Sequence, residues 1–125
     1  MGRILVVEDD DDNRSFLQTL LQLDNHEVHT ARNGLDALMW LRTQRVLPHC
    51  IVLDLDMPIM TGEELFWRLQ DEPRLARIRV IVLSGDVHRH ADDLPTTIAC
   101  LEKPAPPEVL ADIVARCAQP RERAV

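Results

Sequence analysis

With 125 residues, 46% of them hydrophobic, the chain makes one domain of ordinary size with a real core. A formal net charge of −7 argues against a nucleic-acid groove, which needs clustered basic residues. The longest apolar runs fall far short of a membrane span.

The three cysteines, Cys50, Cys100 and Cys117, lie in or beside apolar segments and show no zinc spacing. They read as reduced core thiols, not as a disulfide framework. Met1 leads into a strand within three residues, which leaves no room for a signal peptide, so a cytoplasmic location is expected.

Ile4 to Val7 reads as the first strand and runs into Glu8 and Asp9, the start of an acidic stretch that continues through Asp12. A helix is expected from Asp11 or Asp12, where a carboxylate caps and faces the positive end of the helix. Phe16, Leu17, Leu20, Leu21 and Leu23 form its expected apolar face, and Asp24 and Asn25 end it. Glu27 to Thr30 is a short strand, followed by a turn at Asn33 and Gly34. Leu35, Leu38 and Leu41 give the buried stripe of a second helix, which closes between Arg42 and Pro48.

Cys50 to Leu53 is a β-branched-rich run of the kind that makes a buried parallel strand, and Asp54 sits where it emerges. Met57, Pro58 and Gly62 mark the loop after it. Gly62 opens a third helix, with Leu65, Phe66 and Leu69 inward, and Pro73 ends it. Arg79 to Leu83 is a fourth strand leading to Ser84 and Gly85. Val87 to Leu94 makes a short helix cut off by Pro95. Ile98 to Leu101 is a fifth strand leading to Glu102, Lys103 and Pro104. Pro106 and Pro107 suit the entry to a last helix, whose apolar face is Val109, Leu110, Ile113, Val114 and Cys117. Pro120 ends it and a polar tail follows.

This βα alternation predicts an α/β domain with a parallel sheet covered on both faces. In such sheets chemistry lies just outside the carboxyl ends of the strands. One edge then gathers Glu8, Asp9, Asp54, Ser84 and Lys103. Two carboxylates about 6 Å apart repel by roughly 3 kcal/mol at an effective dielectric of about 20, so the cluster needs counter-charge. Lys103 supplies part of it. A hard divalent cation such as Mg²⁺ supplies the rest, because it prefers oxygen ligands; backbone carbonyls after Asp54 can complete its shell. Ser84 and Lys103 beside that cation describe a cradle for a phosphoryl group, with the central Asp54 as nucleophile and Glu8 and Asp9 as metal ligands.

The motifs VVED, LDLDMPIMTG, VLSG and Lys103–Pro104, in this order on successive strand ends, resemble the receiver domain of two-component response regulators, the CheY-like branch of the flavodoxin-like fold. The resemblance covers Ile4 to about Ala118. It implies a three-layer (βα)5 domain with five parallel strands in the order 2-1-3-4-5. It implies that Asp54 takes a phosphoryl group from a phosphohistidine, in a Mg²⁺-dependent phosphorelay with slow self-dephosphorylation. Asp9 would ligate Mg²⁺ directly, Glu8 mostly through water, and Asp56 through its carbonyl. Ser84 and Lys103 would contact the phosphoryl oxygens, and the Lys103–Pro104 bond would be cis. Such a chain is a signalling phosphoacceptor with weak phosphotransfer and autophosphatase activity, not a metabolic enzyme. Its expected partner is a sensor histidine kinase or histidine phosphotransfer domain, docking near Asn13 and Arg14. The expected organisation is a receiver over residues 1–120 with a loose tail at 121–125 and no output domain, either stand-alone or part of a larger regulator.

Three departures stand out. Cys100 occupies the position where the family often carries Tyr or Phe. Ala105 follows Lys-Pro where Phe is common. The segment from Ser84 to Lys103 is about three residues shorter than usual. An atypical output coupling is expected. By the same resemblance, the positions of Asp56 and Asp86 flank the site entrance and tune acyl-phosphate lifetime, with water orientation or simple repulsion as the open alternatives for an acid there. His88 and His90 beside Arg89 read first as surface residues, and His26, His29 and His49 lack ligand spacing. Trp40 and Trp67 are mainly hydrophobic payload on helices.

The rival readings are a degenerate receiver that only binds proteins, a haloacid-dehalogenase-like enzyme, for which Asp54 and Asp56 give superficial support, and a flavodoxin-like cofactor protein. The acidic run after the first strand would repel a flavin phosphate, and small size counts against the dehalogenase type.

Overall fold

The structure is a computed structural model that describes residues 2–57, 60–85 and 97–118. Five strands alternate with helices: β1 (Arg3–Val7), α1 (Asp11–Leu23), β2 (Glu27–Ala31), α2 (Gly34–Thr43), β3 (Cys50–Asp54), α3 (Gly62–Gln70), β4 (Arg79–Ser84), β5 (Thr97–Glu102) and α4 (Pro107–Cys117). All strand pairs are parallel, and the sheet order is β2-β1-β3-β4-β5. The expected short helix over Val87 to Leu94 and the tail after Pro120 lie outside the described residues.

Alternation along the strands splits the core in two. Leu5, Val7, Ile51, Leu53, Val80 and Val82 face α2 and α3, where Leu38, Leu41, Leu65, Phe66 and Leu69 close the layer. Ile4, Val6, Cys50, Val52, Ile81 and Leu83 face α1 and α4, where Leu17, Leu21, Leu110 and Val114 close the other. A strand buried on both faces must be apolar throughout, which is why β1, β3 and β4 read as unbroken hydrophobic runs.

The helix starts follow from local chemistry. Asp10 caps α1 by accepting the Asn13 N–H at 2.8 Å, and Asn33 caps α2 by accepting the Asp36 N–H at 2.8 Å. The α1 helix begins at Asp11, within the expected start, but its cap is Asp10 and not Asp11 or Asp12. Thr61 caps α3, accepting the Glu64 N–H at 3.2 Å, and Pro107 enters α4 where no N–H is needed.

The apolar stripes are narrower than the periodicity suggested. Phe16 (52% exposed) and Leu23 (76%) lie outside the buried face of α1, which is Leu17 and Leu21. Leu35 is likewise exposed while Gly34 and Ala37 are buried, and Val109 is exposed on α4. Each helix crosses the sheet along one line of contact, so only the residues on that line are covered. Trp40 is partly buried and stacks on His29 with centroids 4.0 Å apart, whereas Trp67 is half exposed. Cys50 and Cys117 are buried free thiols and Cys100 is partly buried. The Lys103–Pro104 bond is cis.

His26 is buried in the turn before β2, and its Nδ1 accepts the Gly2 N–H at 3.1 Å. Burial holds its pKa below the usual histidine value. A proton on Nδ1 would also oppose the Gly2 N–H. The unfolded chain takes up that proton below about pH 6.5, so this contribution to stability is present above that pH and lost as pH falls. Urea midpoints of wild type and His26→Gln should therefore converge between pH 7.5 and pH 5.5. An advantage of the wild type that stays constant across that range would refute the assignment.

Candidate functional site

The site is built where strand ladders run one residue past the strands. The Glu8 N–H donates to the Ala31 carbonyl at 3.0 Å, Leu55 N–H to Leu83 at 3.0 Å and Lys103 N–H to Ser84 at 2.8 Å. These bonds tie β1 to β2 and β3 to β4 to β5, the β1–β3 ladder joins the two groups, and together they fix where Glu8, Asp54, Ser84 and Lys103 emerge. Glu8, Asp54 and Ser84 are buried, and Asp9 is exposed.

Gly62 determines how tightly the loop after β3 folds back. A Cβ there would stand 2.4 Å from the Asp54 carbonyl oxygen and 2.6 Å from the Leu55 Cα. Both are backbone atoms and cannot swing aside. Gly62→Ala should lower stability by about 1–3 kcal/mol, read from urea unfolding, because α3 and β3 must separate. A variant as stable as wild type would show that the loop has slack. In sequence Gly62 marks the loop and opens a helix; its packing against the β3 backbone is not visible there.

Asp54 Oδ1 lies 2.5 Å from Lys103 Nζ and accepts the Asp56 N–H at 2.9 Å. Asp56 Oδ2 accepts the Gly85 N–H at 2.9 Å and stands 3.6 Å from Lys103 Nζ. Carboxylate oxygens of Glu8, Asp9 and Asp54 lie within 4.8 Å of one another, and Glu8 Oε2 accepts the Asp9 N–H at 3.0 Å. Arg14 pins the acidic run: its guanidinium donates to the Glu8 carbonyl at 3.0 Å and pairs with Asp11. The sequence reading gave Arg14 only a docking role. A basic residue three positions after Asp11 on a helix was the available signal.

The electrostatics follow from crowding. Burial, and then hydrogen bonding to the Asp54 carboxylate and its charge, raise the Glu8 pKa to about 8. Burial alone would raise Asp54 too, but bonds from Glu8, Lys103 and the Asp56 amide outweigh it and hold Asp54 below its ordinary value. Burial opposes the charge on Lys103, yet its carboxylate neighbours win and raise its pKa. One lysine thus faces three nearby carboxylates at Asp54, Glu8 and Asp56. The all-oxygen donor set and its uncompensated charge fit a hard divalent cation.

A cavity of about 330 Å³ opens beside this cluster, lined by Glu8, Phe16, Lys103, Pro104 and Pro107 among others. A larger groove, about 580 Å³, lies at the opposite end of the sheet between Leu47, His49, Arg74, Arg77 and Arg79. It holds no carboxylate cluster among its described lining, so chemistry, not volume, decides where the site is. Asp86, His88 and His90 lie outside the described residues.

Residues 4–115 match the family model described as the response regulator receiver domain. The chain belongs to this family. It is 34% identical over 125 residues to the transcriptional regulatory protein AfsQ1 of Streptomyces coelicolor, covering 100% of this chain and 51% of that protein. The receiver domain spans about half the length, or less, of several curated relatives it matches. Among solved structures, the signal receiver domain of a histidine kinase from Syntrophus aciditrophicus superposes with a TM-score of 0.83 at 31% identity, covering 94% of this chain and 90% of that one. The response regulator TrrA of Thermotoga maritima, solved in complex with Mg²⁺ and BeF, gives 0.81 at 26% identity, covering 94% and 99%. The receiver therefore has the CheY-like fold, with the strand order that the resemblance implied. No helix among the described residues is long and apolar enough to cross a membrane.

Proposed function

We propose that this receiver is a phosphoacceptor in a histidine-to-aspartate relay, with Asp54 as the acceptor. The observation that carries the reading is the Asp54 carboxylate, buried at the end of the central strand with Lys103 Nζ 2.5 Å away and two further acids beside it. An Asp54 oxygen attacks the phosphorus of a phosphohistidine, an O–P bond forms, the P–N bond breaks, and the imidazole departs with the electron pair. Ser84 and Lys103 hold the transferred oxygens. Glu8, Asp9, Asp54 and the Asp56 carbonyl would hold Mg²⁺, which when bound neutralises charge between acceptor and phosphoryl group. TrrA, a structural neighbour solved with Mg²⁺ and BeF, supports a Mg²⁺ requirement.

The acyl phosphate is lost slowly by hydrolysis, which makes the signal temporary. Output is atypical, because Cys100 leaves the usual aromatic position to a small thiol that packs against the core, and Ala105 packs on the opposite face. The partner is a sensor histidine kinase or phosphotransfer domain, met on α1 near Asn13 and Arg14. The receiver spans residues 1–120 with a tail at 121–125. It acts in the cytoplasm, by itself or within a longer regulator or hybrid kinase such as the one that contains the Syntrophus receiver. Intact mass after incubation with acetyl phosphate and Mg²⁺, and then with a phosphorylated relay partner, tests the reading. One phosphoryl group is expected; none from either donor would leave a constitutive protein-binding module.

A further inference from the structure

Asp56 does not hang free at the mouth of the site. Its Oδ2 faces donors from two different strand ends, the Gly85 N–H at 2.9 Å after β4 and the Lys103 ammonium at 3.6 Å after β5. Lys103 also holds Asp54 Oδ1, and that oxygen accepts the Asp56 N–H. The Asp56 side chain, its own amide, Gly85 and Lys103 therefore ring the Asp54 carboxylate. A tetrahedral anion on Asp54 needs donors for its outer oxygens, and the donors at hand include this same ammonium and this same amide. The Gly85 amide has a single hydrogen. It can serve Asp56 or an incoming oxygen in a linear bond, not both.

We propose that the Asp56 carboxylate is a built-in anion that occupies a phosphoryl-oxygen seat in the resting site and must swing out before a phosphoryl group can settle. This rests on the phosphoacceptor reading above. The side chain is 49% exposed, so it has solvent to swing into. Its main-chain carbonyl stays in place when the side chain leaves or is removed, so the expected metal shell is not altered. Asp56 is then a positioning residue that sets how much phosphoryl donor the site needs. Plain repulsion by a nearby charge would also weaken anion binding, but salt screens repulsion over about 3 Å at 1 M, while competition for a hydrogen bond survives.

Beryllofluoride with Mg²⁺, a tetrahedral stand-in for the phosphoryl group, separates these cases in calorimetric titrations of the full chain at about 0.1 M and 1 M KCl. Asp56→Ala should bind it about tenfold more tightly than wild type, and should keep most of that gain at high salt. In metal-free protein the Gly85 amide proton should move upfield in Asp56→Ala, because its carboxylate acceptor is gone. Equal or weaker binding by Asp56→Ala, a gain that disappears at 1 M KCl, or an unmoved Gly85 resonance would each overturn the inference. If wild type and Asp56→Ala both refuse beryllofluoride, the phosphoacceptor reading itself fails and takes the inference with it.

Discussion

Asp54→Asn should take up no phosphoryl group from acetyl phosphate and Mg²⁺ under conditions that load the parent fully. The loss should exceed about a thousandfold in rate, because an amide oxygen is a far weaker nucleophile than a carboxylate and no intermediate can form without one. The substitution is nearly isosteric. Its amide oxygen can still accept the Lys103 ammonium and the Asp56 N–H that Asp54 Oδ1 accepts, so the fold should survive. Intact mass before and after incubation reads the result, and a circular dichroism spectrum matching the parent excludes misfolding. The same added mass on the variant would mean that another side chain is the acceptor, and peptide mapping would then locate it.

Lys103→Ala should have the second-largest effect. It removes the positive charge that faces Asp54 at 2.5 Å and Asp56 at 3.6 Å. Loss of one preoriented charge at the site of transfer costs about 10²–10³ in rate. Stability should also fall. Breaking a fully buried pair costs about 3–5 kcal/mol, but Lys103 is 31% exposed and the Glu8–Asp54 pair can take up a proton, so about 1–2 kcal/mol is expected here. Lys103→Arg should not restore the rate, because a planar fork does not replace a compact ammonium between two carboxylates. Phosphorylation time courses and urea unfolding of the three proteins check this. A transfer rate for Lys103→Ala within threefold of the parent would remove Lys103 from the machinery.

Much of this site was legible because its residues close apolar runs. A buried parallel strand has to be hydrophobic until it leaves the core, so the first polar residue after Val7, Leu53, Leu83 or Leu101 marks where the chain emerges. Four such ends on parallel strands must share an edge, whatever the order of the strands. Capping was less direct: Asn33 reads as a turn residue, Thr61 does not stand out, and the cap expected at Asp11 or Asp12 is Asp10. Asn33 and Thr61 each precede a helical period, and each accepts the N–H three residues on.

The sheet order β2-β1-β3-β4-β5 was not contained in the periodicity; it came from family resemblance, and the tertiary structure bears it out. Which apolar residues of a helix are buried was also undecided. Phe16, Leu23, Leu35 and Val109 fit a 3.6-residue stripe as well as their neighbours do, yet they are exposed. A sequence period specifies a face only to within a residue or so, and the angle at which the helix meets the sheet selects the line that is covered.

Asp56 and Gly62 illustrate the same division. In sequence, Asp56 is placed at the site entrance by resemblance with its side-chain role left open, and Gly62 marks only the end of a loop and the start of a helix. Only the packed chain brings the Asp56 carboxylate to Gly85 and Lys103, which lie far along the sequence, and brings Gly62 against the Asp54 carbonyl. The sequence by itself determined which residues leave the sheet at its chemical edge, because hydrophobicity must stop where water begins. The tertiary structure decided which of them share protons, cations and hydrogen bonds, because those depend on distances between strands that no local pattern encodes.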